Sequence, residues 1–560
     1  MVETLSIETG INFKTDFIDY RKLPEMKKLF LDFLEHKQPA NKYYKWDHRN
    51  PDDYRSLSDT LLKKEYPRQK LADILWETNR SFGCSDRIKD NIDRFSDPES
   101  MVVIAGQQVG IFGGPVLTYY KAAGVVKMAA KLSKELSKPV VPMFWMATED
   151  HDYDEANTIR LVDRNGDPVE IVNEPHNGQR GKSMSQIQLD EGISAAVDEL
   201  EDVLIPTEFT EPLFSLLRDF YKPDESISDA FAKWLTSLLC DYGLVLVDPS
   251  NHDFKELVVP IYEREINRPF DSDAPDQSSV DERITRDGYH LQVQQYKNGI
   301  NLFYSHPHRD KILLDKDNES FKLEASGEVL SRSEMNDLLH DKPESFSSGV
   351  LLRPLVQSKL LPTVGFLGGS AEISYHAQLT ESYKYFDVEP PVICPRPSIS
   401  LIGKRVNSIL NKYEIKLPEL FQDHHKVIND VLSEFFPEDL DGKLDNVRNE
   451  ILDLLESVTS EIGSYDEGLQ KTFKTSTNKI DGELNKLKGK IFQAHKKKNS
   501  EVTNQITKAY DSFFPGGTMQ ERVLPMIHFL NKYSPAFASK LFDEIDIDKN
   551  QHEIIYISTS

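Results

Sequence analysis

Residues able to do chemistry cluster at three places. The first is Gly106-Gln107-Gln108-Val109-Gly110-Ile111-Phe112-Gly113-Gly114-Pro115, between the β-branched run MVVIA and the helix-like run PVLTYYKAAGVVKMAAKLSKEL. Glycines there let a ligand approach the backbone, and a helix start offers N–H groups to an anion. Gln107 and Gln108 add neutral amide donors, so Gln107, Gln108, Gly110, Gly113 and Gly114 are binding candidates. The spacing is neither G-x-x-x-x-G-K-S/T nor G-x-G-x-x-G, so no standard nucleotide loop is matched. A tight turn used only for helix–sheet packing is the competing reading.

The second is Glu149-Asp150-His151-Asp152-Tyr153-Asp154-Glu155, directly after PVVPMFWMAT. Five carboxylates and an imidazole stand where open α/β sheets bind ligands. Such a group could hold Mg²⁺, orient an amine or act as general base. Glu149, His151 and Asp152 are the catalytic candidates and Asp150 a binding one. A His beside a carboxylate can be held in one tautomer. A solvated acidic loop is the competing reading in so acidic a chain.

The third repeats the design of the first: strand, Gly pair, helix start. Gly369 precedes Ser370, a candidate N-cap, with Glu372 in the first turn. Glu372, Tyr375 and His376 share a helix face. Upstream, Arg353 and Gln357 lie one helical turn apart. Downstream, Arg396 and Ser398 follow another strand. Arg353 and Arg396 could bind carboxylate or phosphate. Packing of Tyr375 and His376, and structural ion pairs for the arginines, compete with these roles.

The elements that must position these groups follow from periodicity. Residues 101–147 read strand, helix, strand, a right-handed parallel βαβ unit. A hairpin is expected around Asn165-Gly166, a third buried strand at 243–250, alternating β segments over 285–340, and strand, helix, strand again from 361 to 398. The fold class is therefore α/β, a doubly wound parallel sheet interrupted twice. The expected divisions are 1–98, a polar helical layer; 99–158, the first core half; 159–205, the hairpin insertion; 206–280, core helices and strand; 281–345, the second β insertion; 346–436, the second core half; 437–512, an antiparallel coiled coil; and 513–560, a segment packing back on the core. Leu444, Val447, Ile451, Leu454 and Val458, then Ile480, Leu484, Leu487 and Ile491, step by three or four, with a turn expected within 464–468.

Composition narrows the function. The chain has 560 residues, enough for three or four domains. Lys and Arg number 67 against 92 Asp and Glu, a net charge of −25 that disfavours nucleic acid and anionic lipid as partners. Cys84, Cys240 and Cys394 lack C-x-x-C spacing, so neither a disulfide framework nor a zinc site is expected. The N-terminus has no apolar h-region. The uncharged run Met101 to Tyr120 is broken by Gln107, Gln108, glycines and Pro115, so no membrane span is expected. A cytoplasmic protein is the expectation.

Taken together, Gly106-Gln-Gln-x-Gly, Gly114-Pro-x-x-Thr-x-Tyr-Lys121, Glu149-Asp-His-Asp, Leu352-Arg-Pro, Leu361-Pro-Thr, Gly368-Gly-x-x-Glu-Ile-x-Tyr375, Pro395-Arg-Pro-Ser and Phe514-Pro-Gly-Gly-x-x-Gln-Glu-Arg522 resemble, in order and spacing, the bacillithiol biosynthesis cysteine-adding enzyme family, BshC. The resemblance implies a Rossmann-like core akin to class I aminoacyl-tRNA synthetases, with connecting insertions and a coiled coil used in homodimerisation. It implies a ligase that joins L-cysteine to glucosaminyl malate through an amide bond, with ATP and Mg²⁺ but no zinc, and it adds Lys121 to the binding candidates. The synthetase signatures His-x-Gly-His and Lys-Met-Ser-Lys-Ser are absent; Gln107–Gly110 occupies the place of the first. Two readings stand beside it: a metal-dependent hydrolase or nucleotidyltransferase using Glu149–Glu155, and a non-catalytic coiled-coil scaffold.

Overall fold

A computed structural model of the chain describes residues 10–174, 179, 181–294, 298–305 and 309–559. Parts of the expected second β insertion, 295–297 and 306–308, and the N-terminal stretch 1–9 lie outside the described residues. The chain divides into two compact units, Met1–Leu401 with Pro515–Ser560, and Ile402–Phe514.

Five parallel strands centre the first unit: β1 (Met101–Gln107), β2 (Val140–Met146), β3 (Val245–Val247), β4 (Thr363–Gly368) and β5 (Val392–Pro395), in the order β5-β4-β1-β2-β3. β1 and β2 are buried along their whole length except for the half-buried Gln107. Continuous apolar runs of this kind fit a parallel sheet covered on both faces. Helix α1 (Leu117–Leu136) carries the chain from β1 to β2. The chain starts at the middle strand, builds outward to β3, then returns to add β4 and β5 on the other side. The order therefore reverses between β1 and β4, and open α/β sheets bind ligands outside the carboxyl ends of the strands at such a reversal.

Three further helices of this unit carry site residues: α2 (His252–Asn267), α3 (Arg353–Leu360) and α4 (Ser370–His376). The first insertion is the antiparallel pair Thr158–Val162 and Pro168–Val172, turned at Gly166 with φ +88°. The second is a five-stranded antiparallel sheet built from Gly299–Ser305, Arg309–Asp315, Ser320–Leu323, Val329–Ser331 and Phe346–Ser348.

Two expectations are corrected. The N-terminal layer is not purely helical: Ile11–Ile18 is a strand, antiparallel to the C-terminal strand His552–Thr559. Its sequence INFKTDFI alternates with period two, and only its ends are fully buried. The segment 402–436, expected as part of the core half 346–436, belongs instead to the helical unit, which begins at Ile402.

In that unit α5 (Glu438–Tyr465) and α6 (Glu467–Lys498) run antiparallel. Ion pairs fix the direction: Arg448 to Asp481 at 2.6 Å, and Lys488 to Asp441 and Asp445 at 2.9 and 2.7 Å. The turn falls at Asp466, whose side chain caps α6 by accepting from the Leu469 N–H. Among the described residues no helix is long and apolar enough to cross a membrane.

Candidate functional site

The crevice at the β1/β4 reversal is organised by one lysine. Lys121, on α1 and 4% exposed, donates to the Gly106 carbonyl at 2.8 Å, to Gln107 Oε1 at 2.9 Å and to Glu372 Oε2 at 2.6 Å. Burial pulls its pKa down to about 8, against the attraction of Glu372. Burial pushes the Glu372 carboxyl up, but Lys121, the Gly369 N–H and Arg353 hold it below the ordinary range. The Gly369 N–H donates to the same Oε2 at 2.8 Å. Ser370, expected as the N-cap, is the first residue of α4; Gly369 takes the cap position, and Glu372 reaches back to it.

Arg353 opens α3 and donates to the Tyr375 hydroxyl at 2.6 Å. Burial, more than the opposing charge of Arg353, pushes that phenol up to about 12. Gln357, one turn on, is 2% exposed and its Nε2 has no hydrogen-bond partner among the described residues. His376 stacks on Tyr375, with ring centroids 5.1 Å apart, and is buried. Burial holds it neutral, with a pKa near 3.

The acidic loop after β2 joins this crevice through Gln108, whose Nε2 donates to the Asp152 carbonyl at 3.3 Å. Its carboxylates face different partners. Glu149 pairs with Lys255 of α2, which also donates to the Phe346 carbonyl. Asp150 accepts from the backbone N–H groups of His151 and Asp152. Burial raises its carboxyl, but those two backbone N–H bonds and the charge of Arg309 bring it below its ordinary value. The Asp152 carboxylate caps the short helix Tyr153–Ala156. Arg309 Nη1 lies 2.7 Å from His151 Nδ1. An arginine only donates, so Nδ1 accepts and the ring proton sits on Nε2. The His151 tautomer is thus set by Arg309, not by the neighbouring carboxylate.

Arg396 and Ser398 spend their hydrogen bonds on the C-terminal segment, although Arg396 Nε borders the crevice, 3.3 Å from where a Cβ on Gly369 would lie. Arg396 forms a two-pronged pair with Glu521 (2.5 and 3.2 Å), and both side chains are under 10% exposed. Ser398 Oγ meets His552 Nδ1 at 2.8 Å, and Ser400 Oγ meets its Nε2 at 2.9 Å. Gly113 is also committed to packing: its φ is +84°, and a Cβ there would lie 2.3 Å from Trp234 Cδ1. Gly114 likewise has a positive φ, +66°, whereas Gly110 has ordinary extended backbone.

The structure thus brings Gln107, Gln108, Lys121, Asp152, Gly369 and Glu372 into one connected group. Sequence reasoning missed Lys255, Arg309, Glu521 and His552. Lys255 lies on an unremarkable amphipathic helix, Arg309 in an alternating strand, and Glu521 in a motif quoted only for its resemblance. Among the described residues no three His, Cys, Asp or Glu side chains converge as metal ligands would.

A doubly wound parallel sheet with a polar crevice at its reversal point, carried on one chain with an antiparallel helical coil, defines a Rossmann-like α/β protein with a coiled-coil appendage. Residues 14–397 match the family model described as the bacillithiol biosynthesis BshC N-terminal Rossmann-like domain, and residues 399–557 match the BshC C-terminal coiled-coil domain. The chain belongs to the BshC family of bacillithiol biosynthesis. Relatives named "Putative cysteine ligase BshC" include one from Salinibacter ruber, 31% identical, covering 94% of this chain and 96% of the relative. Others come from Chlorobium phaeobacteroides (31%, 94% and 97%) and Chlorobaculum tepidum (30%, 94% and 97%).

Proposed function

We propose that this chain is a ligase joining the carboxylate of L-cysteine to the amine of glucosaminyl malate. The observation that carries it is the crevice at the β1/β4 reversal, where amide, carboxylate and guanidinium groups stand at strand ends in a chain of this family. Amide formation from a carboxylate releases an oxygen, which must leave on an acceptor. A nucleoside triphosphate, taken as ATP, would supply that acceptor: a phosphoanhydride bond breaks and its far fragment leaves as the carboxylate oxygen bonds to phosphorus, and that oxygen departs with the phosphorus when the amine nitrogen loses a proton and bonds the carbonyl carbon. The chain's own residues orient the carboxylate, hold the amine and keep water out. The 149–155 carboxylates do not form a metal cage, so a tightly held structural Mg²⁺ finds no ligand set among the described residues.

The test is ligation by the purified full chain with L-cysteine, glucosaminyl malate and Mg-ATP, read by mass spectrometry. An amide product is expected. No product, together with no binding of either substrate, overturns the reading. The compartment that goes with this reading is the cytoplasm.

A homodimer through the coil belongs to the same proposal. Val447, Leu454 and Leu487 are 51, 69 and 51% exposed on α5 and α6, a waste of apolar surface unless a second copy covers it. Sedimentation should give a dimer, and Leu454→Glu with Leu487→Glu a monomer; a wild-type monomer rejects it.

A further inference from the structure

An ammonium has three N–H donors, and Lys121 spends all three on the protein. It therefore has no donor left for a ligand, and its importance lies in what it does to its partners. Because lysine cannot accept, the oxygen of the Gln107 amide must face it, and the Nε2 end is turned away. Both bonds to Glu372 fall on Oε2, which leaves Oε1 without a protein partner among the described residues. Gln107 and Glu372 are each partly exposed, the first at the end of β1 and the second in the first turn of α4, just after β4. The two oxygens lie 2.9 and 2.6 Å from one nitrogen, so both side chains end at the same ammonium, each with one end to spare: one a neutral pair of donors, the other an anionic acceptor.

We infer that Gln107 Nε2 and Glu372 Oε1 form the subsite for the α-amino acid, with Lys121 as the residue that positions both. This deepens the ligase reading and rests on it. The Gln107 amide donates to the amino acid carboxylate, and Glu372 accepts from its ammonium. Charge favours this ligand over the other polar groups in the reaction. The Lys121–Glu372 pair is neutral, as is a zwitterion, and the spare Glu372 oxygen needs a donor, which an ammonium brings and an ionised phosphate or malate carboxylate does not. An amino sugar also offers an ammonium, but beside it a neutral hydroxyl, which gains less from an amide donor than a carboxylate does.

The experiment measures binding to the full chain of L-cysteine, of cysteamine, which lacks the carboxylate, and of 3-mercaptopropionate, which lacks the ammonium. Wild type should prefer L-cysteine to each by about tenfold or more, as a charge-assisted hydrogen bond implies. Gln107→Glu, which replaces the donor end by an acceptor, should abolish the preference over cysteamine and leave the other largely intact. Glu372→Gln should abolish the preference over 3-mercaptopropionate. Lys121→Met should lose both, although it touches neither ligand group; should it fail to fold, the two exchange variants still decide. Equal loss for all three ligands means general damage and overturns the assignment. So does an effect confined to glucosaminyl malate, which would give the subsite to the amino sugar. A wild type that ligates but shows no preference rejects this subsite alone; one that neither ligates nor binds rejects the ligase reading itself.

Discussion

Two buried ion pairs stand near the carboxyl edge of the same sheet and do opposite things. Lys121–Glu372 is open: the carboxylate uses one oxygen for the protein and is 16% exposed at the crevice. Arg396–Glu521 is closed. Both carboxylate oxygens take guanidinium N–H bonds, Oε2 takes the Ile399 N–H as well, and Arg396 also donates to the Pro397 carbonyl. A charge pair whose carboxylate spends both oxygens on the protein holds the fold, and one with a spare acceptor can hold a ligand. Residue type does not separate the two cases, since each is a cation and a glutamate beside a strand end. What separates them is hydrogen-bond capacity left over, which only the folded arrangement reveals.

The largest effect that tests this contrast is on stability. Glu521→Ala leaves a buried guanidinium unpaired, which costs roughly 3–5 kcal/mol. Much of a typical domain's stability is of that size. Glu372→Gln keeps an acceptor for Lys121 and a partly exposed site, and should cost about 1 kcal/mol while cysteine selectivity collapses. Urea unfolding of both variants reads the difference. Equal stability losses would erase the distinction between open and closed.

Gly113→Ala comes next. It forces a side chain into positive φ and against Trp234, and should cost at least about 2 kcal/mol. Its loss should appear in the urea midpoint and in turnover together, since the turn that carries Gln107 and Gln108 toward α1 is distorted. A neutral Gly113→Ala would show that the loop moves freely and that the crevice is not fixed by packing.

These two cases show what the sequence could and could not tell. The alternation of strand and helix, the Asn165-Gly166 hairpin and the paired coil were legible because periodicity and turn chemistry are local. So was the gathering of Gln107, Gln108, Asp152 and Glu372, because strand ends in a doubly wound sheet meet at its reversal. The loop's glycines were legible as a group but not individually: nothing local says that Gly113 answers to Trp234, 121 residues on. Arg396 and Ser398 looked like ligand contacts because an arginine after a strand has the right chemistry. Their partners Glu521 and His552 lie more than a hundred residues away, and no periodicity connects them. The alternation of Ile11–Ile18 is itself a strand signal, which the reading of 1–98 as a helical layer passed over; only its pairing with the other end of the chain is non-local.

Acid offers a third, smaller way to sharpen the contrast. Burial, against the pull of Glu521, lowers His552 from its ordinary 6.5 to about 4. Glu521 is held near 2, from 4.5, by Arg396 in spite of burial. For His552 the unfolded chain binds more protons between pH 6.5 and 4, so stability falls as pH drops through that window. Glu521 stabilises the fold above pH 4.5, and that contribution is lost as pH falls toward 2. Glu553 works the other way between pH 8 and 4.5, because burial raises it to about 8 and the fold then binds the extra proton. His48, His376 and His528, lowered by burial to about 4, 3 and 3, act with His552, so between pH 6.5 and 4.5 the imidazoles outweigh Glu553 and the other two carboxyls that burial raises, Glu155 and Asp229. The urea midpoint of the sheet unit should therefore fall on acidification from pH 6.5, and His552→Gln should flatten that slope. An unchanged slope would mean that the closed network does not govern acid stability.

The smallest expected effect on stability is also the most informative about the ligand. Gly110 sits in the same loop as Gly113 but has φ −143°, which any residue adopts, and the nearest heavy atom to an added Cβ is 3.5 Å away, the Ala156 carbonyl oxygen. Gly110→Ala should therefore change stability by less than about 0.5 kcal/mol, with a slight gain available from the restricted unfolded chain. Its turnover then reports on something that packing does not explain. If turnover falls while the urea midpoint holds, a ligand comes within contact of the backbone at Gly110, and the open network extends from Gln107 along the loop. If both hold, the loop beyond Gln108 serves the helix–sheet junction alone, and recognition is confined to the pair that Lys121 holds in place.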